Sequence, residues 1–371
     1  MRRIRAAALV LTLLTTGSEA QVRIGLSAPL TGPDAAFGQG MRAAAEQAVA
    51  DLNRAGGVLG QRLALVVADD AGDPKQGVAV ARKFAADRVT LVVGPLGSAT
   101  AALAMPGYEE AGIVAVTPGA TWGPLTARGL WNVFRTCSSD AEQGAIAGAY
   151  LAERYRGKRI ALVHDRTGFG RGLADDVARA LKLGGAREVA FEGLNRGERD
   201  YAALASKLWQ ARVDVVYFGG LATEAGLLIR AMREVGLTAP LVGSDGILDK
   251  DFARIAGPGA EGTLMTLAPE PRRLPEPKGP GPKAARPPEA EAFAAQTYAA
   301  VEVLTQGVEG AKSTEGRPVA DFLRRGGALR TAIGEIAYDA KGDPRRPGYV
   351  LHTWKRTPDG RIDYAGNAVA P

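Results

Sequence analysis

Between Thr90 and Thr100 the sequence reads TLVVGPLGSAT. The apolar run Leu91-Val92-Val93 stops at Gly94 and Pro95, and Ser98 follows just before an alanine-rich stretch. A small hydroxyl residue therefore stands where a buried strand gives way to a helix. Two chemistries fit that position. Ser98 can cap the helix, its side-chain oxygen accepting from an N–H of the first turn. Alternatively, the helix start can seat an anion, because its first N–H groups lack intrahelical partners and carry the positive end of the helix dipole.

Other residues capable of chemistry are few. Cys137 is the single cysteine, so an intramolecular disulfide is impossible. With only His164 and His352, a transition-metal site would have to rely on carboxylates. His164 ends an apolar run beside Asp165, yet no hydroxyl that it could activate as a general base is in view. The GFGRG run, Gly168 to Gly172, resembles part of a dinucleotide fingerprint but lacks the third-glycine spacing. Neither feature supports catalysis or a cofactor, and both read as structural.

The elements that must position Ser98 follow from periodicity. VRIGLSAPL, QRLALVVADD, VTLVVGP and GIVAVTPGA read as strands in the first half. Between them, MRAAAEQAVADLNRAGG and DPKQGVAVARKFAAD carry apolar residues three and four apart, as helices do. Asp73 precedes Pro74 as cap and first-turn residue of the latter. A second such unit begins at KRIALVHD and runs through GLADDVARALKLGG, EVAFEGL, YAALASKLWQA, VDVVYFGG, EAGLLIRAMREVG and APLVGSD. Apolar β-branched runs alternating with helices predict parallel sheets covered on both faces. The two halves open alike, so two similar lobes are expected. A proline-rich stretch, Ala268 to Pro288, reads as an exposed loop. Helices at EAFAAQTYAAVEVLTQGVE and PVADFLRRG follow, and GEIAYDAKGDPRRPGYVLHTWK closes the chain as strand, polar turn, strand.

The N-terminus bounds the compartment. Arg2, Arg3 and Arg5 precede an apolar run over residues 6–16, and Ser18-Glu19-Ala20 fits a cleavage site before Gln21. This is the pattern of a secretory signal peptide, too short for a spanning helix. The remaining chain of about 350 residues exceeds one core and predicts two domains. The full sequence has a net charge of +6, of which +2 belongs to the leader, and the basic residues are scattered, which argues against nucleic acid as a partner.

Ligands of open parallel sheets sit outside the carboxyl ends of the strands. Those ends hold Phe37, Gly97-Ser98 and the segment Thr117 to Trp122 in the first half, and Phe169, Leu221 and Asp245 in the second. Small hydroxyls and glycines from one lobe, apolar groups from both and a carboxylate from the other suit a small ligand with an anionic end, an apolar middle and a cationic end. No nucleophile–base pair is among them.

At these residues the chain resembles the periplasmic branched-chain amino-acid-binding proteins, the leucine/isoleucine/valine receptors of ABC transporters. The segments DDAGDPKQGVAVARK, TPGAT, LTARG, RTCSSDAEQG, KRIALVHD, FGRGLA, GLNRGERDY, VYFGG, GPGAEGTL and YDAKGD stand in the family order across nearly the whole mature chain. The resemblance implies an α/β fold, the type I periplasmic binding protein: two Rossmann-like lobes with parallel central sheets, joined by a three-crossing hinge. It implies a signal peptide at 1–20, lobe I from 21–138 with 269–346, and lobe II from 139–268 with 347–371. Ser98 and Thr121 match positions that hold the ligand carboxylate and head group. Gly119 matches a position whose backbone carbonyl accepts from the ammonium, and Asp245 a glutamate facing it. Phe37, Phe169 and Leu221 match side-chain pocket positions that are mostly tyrosine or tryptophan in the family. Asp245 is one methylene shorter than glutamate, and a cysteine pair of some relatives is Gly72 and Gly97 here. The function implied is a periplasmic, monomeric receptor without cofactor, which delivers an amino acid or similar small carboxylate to a membrane permease. An amide, urea-like or aromatic-acid ligand, or a sensor role, is the alternative.

Overall fold

The computed structural model describes residues 21–267, 293–345 and 348–364. The leader and the proline-rich stretch lie outside these residues.

The first sheet holds β1 (Gln21–Ala28), β2 (Arg62–Asp69), β3 (Leu91–Val93), β4 (Val114–Thr117) and β5 (Val133–Arg135). It is parallel throughout, in the order β2-β1-β3-β4-β5. The second sheet takes β6 (Ile160–His164), β7 (Glu188–Gly193), β8 (Val215–Gly219), β9 (Leu241–Gly243) and β10 (Leu264–Leu267). After a separate hairpin of β11 (Leu329–Thr331) and β12 (Gly334–Ile336), β13 (Val350–Thr353) joins it. Its order is β13-β10-β9-β8-β6-β7, with β13 antiparallel to β10. The sequence leaves β5 unrecognised, since three residues carry no period. It also reads the final two strands as neighbours, whereas β12 pairs with β11 and β13 crosses to the second sheet.

Helices α1 (Ala35–Arg54), α2 (Pro74–Ala86), α3 (Ser98–Glu110) and the short α4 (Pro124–Ala127) accompany the first sheet. Helices α5 (Asp140–Arg154), α6 (Gly168–Leu183), α7 (Ala202–Gln210), α8 (Ala222–Glu234) and α9 (Asp251–Ala256) accompany the second. The last pair, α10 (Ala294–Ala311) and α11 (Gly316–Arg324), returns to the first sheet. Asp73 caps α2 as expected, accepting from the Gln76 N–H at 2.9 Å.

Strand alternation builds two cores on each sheet. In β6, Ile160 and Leu162 pack with α5 and α6, while Ala161 and Val163 point the other way toward α7 and α8. In the first sheet, Leu91 and Val93 join α1 and α10, while Val92 joins α2 and α3. Burial on both faces explains why these strands read as unbroken apolar runs.

The chain passes between the sheets three times: after β5, after β10, and between Asp343 and β13. A buried ion network locks the first and third passages to the first lobe. Arg135 is fully buried, and its Nε donates to Asp343 at 2.6 Å. Its other nitrogens donate to the Ala120 carbonyl at 2.7 Å, the Trp122 carbonyl at 3.1 Å and the Thr126 hydroxyl at 2.6 Å. The guanidinium thus satisfies one carboxylate and the turn that follows β4, which is the turn carrying Gly119 and Thr121.

Candidate functional site

Residues beyond the carboxyl ends of the two sheets meet: Asp34 after β1 pairs with Arg196 after β7, and Gly172 after β6 faces Trp122 after β4 across a cleft. Each sheet has a point where strand order reverses, at β2-β1-β3 and at β7-β6-β8. Crevices for ligands open at such points. The residues following β1 and β3 are Phe37 and Ser98, and those following β6 and β8 are Phe169 and Leu221.

Ser98 is the first residue of α3, and the cap position falls on Gly97, with extended backbone and no side-chain cap bond. The capping role for Ser98 is therefore not realised. Ser98 is buried, and its hydroxyl accepts instead from the Trp122 N–H at 3.3 Å. That contact draws the turn after β4 onto the start of α3. The turn is braced by Thr117, whose hydroxyl donates to the Pro95 carbonyl at 2.6 Å and accepts from the Ala120 N–H at 3.0 Å. Thr121 is buried beside it, and its Oγ1 makes no hydrogen bond of good geometry among the described residues.

Gly119 lies against Leu96 and the Phe293 ring, which a Cβ would approach to 3.1 Å. Phe37 packs edge-on against the same Phe293 ring, with centroids 5.5 Å apart. Phe37 sits in the first turn of α1. Phe293 closes this apolar wall and was missed in the sequence, because it precedes a helix whose own pattern gives it no distinction.

Across the cleft, Phe169 opens α6, and its ring lies against Gly246, next to Asp245. Leu221 sits at the cap position of α8 and offers no side-chain bond. The glycines of GFGRG have packing roles. A Cβ at Gly170 would overlap the Asp165 carboxylate and the Gly219 carbonyl, so this glycine lets α6 approach β8. A Cβ at Gly172 would come within 2.9 Å of the Trp122 indole, which belongs to the opposite lobe. His164 Nδ1 accepts from the Arg166 N–H at 3.0 Å, and the ring packs on Phe191.

Asp245 begins a single 3-10 turn, Asp245–Ile247, after β9. Its Oδ1 accepts from Gln143 Nε2 at 3.0 Å and its Oδ2 from the Tyr349 hydroxyl at 3.3 Å. Burial pushes its carboxyl up to about 6, with those two hydrogen bonds offsetting part of the effect. Gln143 also donates to Asp140 Oδ1 at 3.3 Å and accepts from the Thr266 hydroxyl at 2.6 Å. Asp140 is fully buried. Burial, and then the Asp245 charge, push its carboxyl well above the usual range, and the adjacent Thr121 side chain offsets only part of this. Asp140, Gln143 and Tyr349 are site residues that the sequence reading did not single out. Asp140 and Gln143 lie in the quoted RTCSSDAEQG segment, where an acid and an amide three apart at a helix start were the available signal.

The structure thus brings Ser98 and Thr121 together, joins Phe37 to Gly119 through Phe293, and sets Phe169 beside Asp245. It ties the two sets by a chain through Thr121, Asp140, Gln143 and Asp245.

Two parallel-sheet lobes, crossed three times and facing one cleft, define a type I periplasmic binding protein. The chain belongs to the periplasmic binding protein family, whose model matches residues 21–357. It is 44% identical over 347 residues to the Leu/Ile/Val-binding protein homolog 1 of Brucella melitensis, covering 93% of each chain. Among solved structures it resembles a leucine binding protein, LivK, from Thermotoga maritima, with a TM-score of 0.80, 24% identity and coverage of 94% and 99%. It also resembles an ABC transporter substrate-binding protein from Desulfitobacterium hafniense in complex with Leu, with a TM-score of 0.69, 27% identity and coverage of 93% and 100%. This family consists of binding proteins, so the chain is a binding protein and not an enzyme.

Proposed function

We propose that the chain is an exported receptor that closes around a small aliphatic α-amino acid and delivers it to an ABC importer. The observation that carries this reading is an α3 start without a side-chain cap, beside a buried Thr121 hydroxyl that lacks a well-formed partner. Such a corner suits a carboxylate. The Ser98 and Thr121 hydroxyls and the first-turn N–H groups take the acid end. The Gly119 carbonyl and Asp245 take the ammonium, and Phe37, Phe169 and Leu221 enclose the side chain. Each charge-assisted hydrogen bond contributes about 1.5–3 kcal/mol. Three or four of them with the buried side chain support micromolar or tighter binding, about 8 kcal/mol. The names of the Brucella relatives and the leucine in the Desulfitobacterium complex support the same ligand class.

On this reading residues 1–20 are a signal peptide removed near Ala20, lobe I comprises 21–138 with 269–346, and lobe II comprises 139–268 with 347–371. The receptor acts as a monomer, and a membrane permease recognises its closed form.

One observation favours a second reading, a carboxylate ligand without an ammonium group. Asp245 already accepts from Gln143 and Tyr349, and it is short. Calorimetric titration with L-leucine and with its deaminated analogue 4-methylpentanoate separates the two. Binding of leucine alone supports the amino-acid reading. Equal binding of both supports the second.

A further inference from the structure

The Arg196 guanidinium crosses the mouth of the cleft. It leaves the loop after β7, in the second lobe, and its Nη2 donates to Asp34 Oδ1 at 2.8 Å, in the first. We propose that Arg196 and Asp34 form a latch between the lobes, which holds the closed form and slows ligand release. The proposal rests on the reading of the protein as a closing receptor.

Three further features point the same way. Asp34 occupies the cap position of α1, where an aspartate ordinarily bonds to the first turn, but it makes no cap bond. Its carboxylate is committed to the opposite lobe instead. Behind Arg196, the second lobe holds Asp165 and Glu224, both buried and each with a carboxylate oxygen that lacks a hydrogen-bond partner. Glu224 Oε1 accepts from the Gly197 N–H at 3.1 Å, which fixes the loop that carries Arg196. Behind Asp34, the first lobe holds Asp70, whose carboxyl is pushed up by burial and, among smaller effects, by the Asp69 and Asp34 charges.

One cation therefore lies between two acidic banks. Burial works against the Arg196 charge, but Asp34, Glu224 and Asp165 together outweigh it and raise its pKa. With Arg196 in place the banks attract through it. Without it, Asp34 faces Asp165 and Glu224, and closure brings like charges together. Loss of the arginine must then cost more than loss of the aspartate, an asymmetry that a simple surface ion pair does not produce.

The test uses the full-length mature protein and the variants R196Q, D34N and the double variant, with L-leucine as probe. Stopped-flow release rates are read at low and high salt, and X-ray scattering gives the radius of gyration of each protein without ligand. The latch predicts release about 2- to 5-fold faster for D34N, the range of a partly exposed ion pair, and a larger increase for R196Q. It predicts a double variant less impaired than the two singles combined, and a salt effect on wild-type release that the variants lose. The ligand-free radius of gyration rises in R196Q. Unchanged release rates in both single variants overturn the latch. A wild type that binds no amino acid overturns the amino-acid reading, and the scattering then decides the latch alone: an R196Q radius equal to wild type overturns it.

Discussion

The backbone N–H of Asp140 donates to the carbonyl of Thr121 at 2.8 Å. This bond joins the turn that seats the proposed acid group to the first residue of α5, the helix that carries Gln143 and so reaches Asp245. The two ends of the proposed ligand site are therefore joined by a hydrogen-bonded chain through the first passage between the sheets. Ser98 and Thr121 belong to the first lobe, Asp245 to the second, and the connection runs along a passage between them. On the proposed reading, rotation of one lobe against the other moves the carboxylate seat and the ammonium partner relative to one another. This links occupancy to closure.

Arg135 braces the turn that carries the proposed seat. R135A removes the buried cation from Asp343, leaving only the exposed Lys341 at 3.1 Å, and frees the carbonyls of Ala120 and Trp122. Breaking such a buried pair costs about 3–5 kcal/mol, measured as a lower urea midpoint. Burial pushes Asp343 up, but Arg135 and the hydrogen bonds from Arg135, Thr126 and Lys341 outweigh it, so its pKa is lowered. Its stabilising contribution is present above the ordinary carboxylate range and lost as pH falls through the lowered folded value. D343N therefore flattens the acid limb of the stability–pH curve.

Gly172 sets how near Trp122 comes to α6. In G172L, a side chain fills the space that the indole needs, and the lobes stop short of closure. Overpacking of this kind costs about 1–3 kcal/mol, here taken from closure and hence from binding. Leucine affinity is expected to fall about 10-fold or more, with the melting temperature of the ligand-free protein nearly unchanged. Calorimetry and thermal scans read the two effects separately.

An ammonium partner must be ionised. With the Asp245 carboxyl pushed up to about 6, leucine affinity holds above that pH and declines about tenfold per unit below it. A bound ammonium lowers the pKa of the complex, so the decline runs from the free-protein value down to that lower one and then levels off. D245N removes this dependence and weakens binding at pH 7.5. Titration calorimetry between pH 5 and pH 8 checks both.

The same group works against folding at neutral pH. Its folded pKa lies above its unfolded one, so the folded state holds more protons between about 4 and about 6. Stability falls as pH rises through that window and stays lower above it. D245N is therefore expected to be more stable than wild type at pH 7.5 by about 1–2 kcal/mol, less than the full shift implies because part of the side chain meets solvent. The difference closes near pH 4. Denaturant unfolding at the two pH values measures it.

Much of this was legible in the sequence because apolar strands alternate with amphipathic helices, as in KRIALVHD and GLADDVARALKLGG. The positions of the proposed cleft residues followed, since Ser98, Phe169, Leu221 and Asp245 each stand just after a strand. What escaped depends on contacts distant in sequence. Arg135 and Asp343 lie 208 residues apart, and neither periodicity nor spacing links them. Strand β5 is too short to show a period. The capping residue of α3 turned on whether the helix begins at Ser98 or one residue later, a margin that residue type alone does not resolve. Phe37 entered α1 because the helix starts at Ala35, ahead of its apolar stripe. Gln143 and Tyr349 acquire their role only once the hinge sets them against Asp245.

The central claim is an acid seat formed by Ser98, Thr121 and the start of α3. Isothermal titration of L-leucine into ligand-stripped wild-type and S98A proteins tests it most directly. The account predicts one site in the wild type and an affinity loss of about 10- to 100-fold in S98A, the worth of one charge-assisted hydrogen bond. A wild type silent toward leucine, isoleucine and valine, or an S98A protein that binds leucine as tightly as wild type, contradicts it.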